Sequence, residues 1–239
     1  MAEWEQGRKS ISHSFTTKLM FRHIPNILTG IRLVLAAVFF GMLADYQQPI
    51  RPMHAQAAWL NTAFLIYLVA LITDFLDGYL ARKWKVEGPF GRVVDPFVDK
   101  VLVLGSFIFF AGRNFTIPSD NPSDIPSNVM TITGIAPWMV VVILARELLV
   151  TSLRGSSEDS GQNFGAAFSG KFKMVAQSVT ILAVLLYVNY LQTLESHQWE
   201  SAAALVRDVL IWITITVTVV SGLLYVQRAI GLYRKNLVK

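Results

Sequence analysis

Apolar stretches about as long as a lipid bilayer is thick recur along this chain, broken by charge at only a few places. A helix needs about 20 mostly apolar residues to cross roughly 30 Å of hydrocarbon. Hydropathy marks six such stretches: about Pro25–Asp45, Trp59–Leu80, Pro96–Ala111, Gly134–Leu153, Lys173–Leu191 and Ala204–Tyr225. Of the 239 residues 53% are hydrophobic and 15% charged, which excludes an ordinary soluble domain. The expected fold is all-α, an integral membrane bundle of six transmembrane helices forming one domain over 1–239.

Placement of the cations orients this bundle. With both termini inside, every Lys and Arg except Arg51, Arg113 and Arg207 falls on the cytoplasmic side. The net charge of +5 therefore sits at segment ends rather than along a groove. That favours anionic lipid and phosphate as partners and argues against nucleic acid. With no Cys, disulfides and thiolate chemistry are excluded. The first 20 or so residues lack the apolar core of a cleavable signal. In residues 1–22, a cytoplasmic or interfacial segment, Trp4, Ile11, Phe15 and Leu19 are spaced for an amphipathic helix lying on the membrane. Asn114–Pro137, with Pro118, Pro122 and Pro126, reads as the one sizeable loop.

A charged residue inside a spanning segment is a functional candidate by default. Here those are Arg32, Asp74, Asp77, Asp99, Arg146 and Glu147. The densest group is Asp74-Phe-Leu-Asp77-Gly78-Tyr-Leu-Ala81-Arg82, then eight residues, then Gly91-Arg-Val-Val-Asp95-Pro-Phe-Val-Asp99. Residues three, four and seven apart share a helix face. Asp74, Asp77, Gly78 and Ala81 thus form one stripe, and Gly91, Asp95 and Asp99 a second on the next helix. Carboxylates this close repel one another near hydrocarbon, so a cation must neutralise them. Hard oxygen ligands without Cys favour Mg²⁺ or Mn²⁺ over zinc. Gly78 and Ala81 leave room for a ligand, and Arg82 offers a planar cation to a phosphate. The plainer readings make Asp95 a helix N-cap ahead of Pro96, Asp77-Gly78 a turn, and the acids an interfacial charge network. They would have to coincide at all the specified positions.

The pattern D-x2-D-G-x2-A-R-x8-G-x3-D-x3-D, matched from Asp74 to Asp99 without a departure, resembles the signature of the CDP-alcohol phosphatidyltransferases. The resemblance implies that Asp74, Asp77 and Asp95 bind the metal, with a contribution from Asp99, and that Asp99 is the general base. It places CDP-diacylglycerol against Asp74, Asp77, Gly78 and Arg82. It further implies a homodimer, in a multi-pass protein of the bacterial inner membrane whose active site faces the cytoplasm.

Three further stretches lie at the predicted cytoplasmic face: Pro25-Asn-Ile-Leu-Thr29-Gly-Ile-Arg32, Ala145-Arg146-Glu147 through Arg154, and Gly170-Lys171-Phe-Lys173 through Gln177. They resemble those of bacterial family members whose acceptor is glycerol 3-phosphate. On that resemblance Thr29, Arg32, Arg146, Arg154 and Lys171 would take the acceptor's phosphate, the arginines with bidentate contacts. The plainer reading makes Arg146-Glu147 a local ion pair, Lys171 and Lys173 products of the positive-inside rule, and Asn26 and Thr29 helix caps. Other readings are a family member with a different acceptor, such as phosphatidylglycerol, a membrane prenyltransferase, and a cation transporter. The G-x2-A-R continuation is unlike prenyltransferase motifs. No pair of broken helical repeats supports transport.

Overall fold

The computed structural model describes residues 27–46, 53–84, 89–116, 131–159, 168–191 and 197–237. The side chains of Asp77, Gly78, Arg82, Asp95 and Lys171 lie outside the described set, as does the whole segment expected to lie on the membrane, residues 1–22. The described chain is helical, as expected. Its elements are α1 (27–44), α2 (Met53–Trp84), α3 (Pro89–Phe110), a 3₁₀ turn (Arg113–Phe115), α4 (Pro137–Asp159), α5 (Phe168–Leu186) with a π-helical end (Tyr187–Leu191), and α6 (His197–Leu237). Windows long and apolar enough to cross a bilayer lie at Ile27–Ala44, Ala57–Leu76, Phe172–Tyr190 and Trp199–Gly231. Arg146, Glu147 and Arg154 keep α4 outside that group.

Several boundaries fall beyond those hydropathy suggests. Ala81, Arg82 and Leu80 are good helix formers, and α2 runs on through Gly78 to Trp84, so Asp77-Gly78 is not a turn. α3 opens at Pro89, which suits a first helical turn, and Asp95 therefore lies inside the helix and is not its N-cap. α6 has 41 residues, about 60 Å at 1.5 Å per residue, twice a hydrocarbon thickness.

The chain divides into two compact units, the first comprising Met1–Gly41 and Leu65–Leu102, the second Met42–Phe64 and Val103–Lys239. In the first unit, Thr29, Arg32, Ala36 and Phe39 are buried along α1 at helical spacing, with Tyr67 and Ala70 of α2 and Val98 and Leu102 of α3. The Phe39 and Tyr67 rings meet at 5.4 Å between centroids.

In the second unit α6 packs against both α4 and α5. Thr180 Oγ1 of α5 lies 2.8 Å from Thr214 Oγ1 of α6, and Thr214 donates to the Ala176 carbonyl at 3.2 Å. The end of α1 is closed by Asn114, which donates to the Leu43 and Ala44 carbonyls at 3.2 and 2.6 Å. Helix ends leave such carbonyls without intrahelical partners. Many large apolar side chains point outward, among them Phe75, Val141, Leu148, Val175, Leu205 and Leu223. In water so much exposed apolar surface would drive association, whereas lipid accepts it.

The connection entering α4 turns at Gly134, whose φ of +73° belongs to the left-handed region. A Cβ there would lie 2.9 Å from Arg207 Nε and 3.0 Å from Asp208 Oδ1. Arg207 is itself held by the Ile132 carbonyl at 2.7 Å and by the Tyr187 ring, 4.3 Å from its Cζ. Gly134→Ala should therefore destabilise the protein by about 1–3 kcal/mol, the cost of a strained left-handed residue. Thermal unfolding in detergent measures it. In an Arg207→Ala background the same substitution should cost less, because the Arg207 crowding is relieved while the Asp208 contact and the backbone strain remain.

Candidate active site

The first unit brings three intramembrane charges together. Arg32 occupies the buried stripe of α1 and is only 1% exposed. Its Nη1 donates to Asp99 Oδ1 of α3 at 2.8 Å and forms an ion pair with Asp74 Oδ1 of α2, also at 2.8 Å. One guanidinium nitrogen thus ties the first and last aspartates of the signature, and both acids remain about a quarter exposed. Thr29 is buried one turn earlier on α1. Asp77 lies one turn beyond Asp74 on α2, and Asp95 one turn before Asp99 on α3. Among the described residues there is no cluster of three metal-ligating side chains, because only two of the four aspartates are described.

Carboxylate oxygens from two helices converging on one cationic nitrogen form a hard, anionic donor set. Such a set fits Mg²⁺ or Mn²⁺ and offers nothing to a soft metal. Two carboxylates share one guanidinium here, so the described group keeps acceptor capacity for a further cation. Arg32 also shows that part of the neutralisation comes from the protein itself.

The second unit holds another buried charged group. Arg146 of α4 donates from Nη1 to Glu147 Oε1 at 2.8 Å and from Nη2 to Ser221 Oγ of α6 at 2.6 Å. The same Glu147 oxygen accepts from Lys173 Nζ of α5. Arg146, Glu147 and Lys173 are each at least nine-tenths buried, and the Tyr225 ring lies 5.6 Å from the Arg146 guanidinium. Arg146-Glu147 is an ion pair, as the plain reading has it, but not merely a local one. Lys173 joins from 26 residues away, so its position does more than obey a charge rule. Arg146 Nε is buried with no hydrogen-bond partner among the described residues. Two cations around one carboxylate, with a buried N–H left over, suit an anionic ligand.

Of the residues expected at the acceptor's phosphate, Arg146 lies in this group and Arg154 is exposed two turns along α4. Arg32 stands with the aspartates. Glu147 and Lys173 carried a visible signal, being charges in or beside apolar segments. Ser221 and Tyr225 carried none, since a Ser or Tyr in a long apolar helix is ordinary.

A profile of the CDP-alcohol phosphatidyltransferase family matches residues 22–220. The chain is 28% identical to the CDP-diacylglycerol--glycerol-3-phosphate 3-phosphatidyltransferase of Bacillus subtilis, over 86% of this chain and 94% of that one. It is 30% identical to the protein of the same name from Haemophilus influenzae, over 90% and 97%. It is 34% identical to a probable phosphatidylglycerophosphate synthase of Mycobacterium tuberculosis, over 87% and 82%. The unbroken aspartate signature, carried on two helices whose acids meet at Arg32, agrees with these matches, and the chain belongs to the CDP-alcohol phosphatidyltransferase family.

Proposed function

We propose that this protein transfers a phosphatidyl group from CDP-diacylglycerol to glycerol 3-phosphate, giving phosphatidylglycerophosphate and CMP. The observation that carries the chemistry is the convergence of Asp74 and Asp99 on Arg32. The choice of acceptor is supported by near-full-length similarity to several proteins named for it, and by the buried group around Arg146 and Lys173. Serine carries no phosphate to match such a group, and phosphatidylglycerol carries only a diester.

In this reading Asp74, Asp77 and Asp95, with Asp99, hold Mg²⁺ or Mn²⁺. When bound, the ion offsets charge on the diphosphate and its leaving group. Asp99 accepts the proton of the acceptor hydroxyl as that oxygen attacks the lipid-bearing phosphorus. The bond from this phosphorus to the CMP oxygen breaks, and CMP leaves. Arg32 keeps the Asp99 carboxylate aimed, so its orientation does not have to be found at the moment of reaction. Gly78 leaves room for the nucleotide and Arg82 takes one of its phosphates. Thr29, Arg32, Arg146, Arg154 and Lys171 are assigned to the acceptor's phosphate, and Lys173 is taken with them because it shares Glu147 with Arg146.

The membrane setting follows from the same reading. We assign six spans, α3 and α4 included, with the signature at the cytoplasmic side of a bacterial inner membrane. The acyl chains then stay in lipid while the diphosphate lies at the surface. The chain is read as one catalytic domain, supported by a family match that runs through both compact units, and as a homodimer.

Asp99→Asn should lower turnover by at least the ~10²-fold typical of losing a general base, with CDP-diacylglycerol binding retained. Single-turnover assays and lipid-nucleotide binding on the folded variant check this, and wild-type-like turnover would remove the base. Chelation should silence the parent enzyme. Asn at position 74, 77 or 95 should shift Mg²⁺ activation to higher concentration, whereas full activity in excess chelator would defeat the metal assignment. The acceptor is tested by product mass with glycerol 3-phosphate, glycerol, serine and phosphatidylglycerol offered separately. Only the first should be used efficiently. Arg146→Ala should raise its KM by roughly 10- to 150-fold, the ~1.5–3 kcal/mol of a lost charge-assisted contact, and leave that of CDP-diacylglycerol little changed.

A further inference from the structure

Arg146 is fixed in place largely by α6. Its Nη2 reaches Ser221 Oγ at 2.6 Å, its guanidinium lies 5.6 Å from the Tyr225 ring centre, and Gly222 stands against its aliphatic stem. A Cβ on Gly222 would come within 3.1 Å of Arg146 Cγ, closer than ordinary packing, so the stem's path depends on the missing side chain. Ser221 and Tyr225 lie one helical turn apart, on one face of α6. Both are almost fully buried, at 1% and 3% exposed.

This seat also decides which donors remain. Glu147 engages Nη1 and Ser221 engages Nη2, leaving Nε buried without a partner among the described residues. A buried N–H in that state is costly, and a phosphate oxygen is an acceptor that removes the penalty. An arginine free to rotate would lose rotamer entropy on binding, a loss that a seated arginine has already met in folding.

We propose that Ser221, Gly222 and Tyr225 of α6 are positioning residues that orient Arg146 toward the acceptor's phosphate, and that α6 thereby sets the preference for a phosphorylated acceptor. The proposal rests on the reading that Arg146 binds this phosphate. The three residues lie past residue 220, where the family match ends.

The test uses the full chain in lipid nanodiscs, with KM measured for glycerol 3-phosphate and for CDP-diacylglycerol, and kcat/KM compared between glycerol 3-phosphate and glycerol. Ser221→Ala should raise the glycerol 3-phosphate KM by about 10-fold, the lower end for a bond to a charged group, and shrink the discrimination against glycerol by a similar factor. CDP-diacylglycerol KM should not follow. Ser221→Thr, which keeps the hydroxyl, should restore the parental value. Gly222→Ala should act in the same direction through the stem, and Tyr225→Leu provides a route that leaves Ser221 intact should the other variants fold poorly. In an Arg146→Ala background none of the three should add a further effect. If Arg146→Ala raises the acceptor KM while all three α6 variants leave it parental, the positioning role is wrong and the acceptor assignment stands. If Arg146→Ala raises both KM values equally, the acceptor assignment itself fails. If the α6 variants raise both KM values together, their role is general packing and the proposal is overturned.

Discussion

A charge placed within an apolar helix must find its counter-charge within the protein, because hydrocarbon supplies none and desolvating an ion costs several kcal/mol. That constraint organises both compact units of this protein. In the first, Arg32 of α1 ties Asp74 of α2 to Asp99 of α3. In the second, Glu147 of α4 ties Arg146 to Lys173 of α5, while Ser221 of α6 takes the remaining end of the guanidinium. Each group crosslinks helices that apolar packing alone would leave free to slide, since lipid tails are as apolar as the side chains they touch.

The two groups have opposite balance. Around Arg32, two carboxylates share one cation; around Glu147, two cations share one carboxylate. A fully self-neutralised cluster would be a structural lock with nothing left to offer a ligand. The imbalance leaves carboxylate in excess around Arg32 and cation in excess around Glu147. That distribution connects the packing of the helices to the chemistry proposed for them.

Neutral polar contacts support the same bundle with less at stake. Thr180 and Thr214 bridge α5 and α6, and Asn114 closes the carbonyl end of α1. Removing one such bond costs about 1 kcal/mol, against several for stranding an ion. Substitutions at Thr180 and at Glu147 therefore belong to different energetic classes, although both residues are buried.

The all-helical character was written in the apolar stretches, because stretches of that length have one economical way to satisfy their backbone in lipid. The signature too was legible residue by residue: spacings of three and four assign Asp74 with Asp77, and Asp95 with Asp99, to common helices, and α2 and α3 carry them so. Intramembrane charge flagged Arg32, Arg146 and Glu147, since polar groups are rare where they are costly. Partner choice was not legible. Spacing does not say that Arg32 meets Asp74 and Asp99, or that Lys173 meets Glu147 from 26 residues away. Ser221, Gly222 and Tyr225 had no signal at all, because their chemistry is commonplace and only the packing of α4 on α6 brings Arg146 against them. Local spacing determines which face of a helix a residue occupies. Which face of which other helix it meets is decided by the tertiary structure, where side chains tens of residues apart must match in shape and charge.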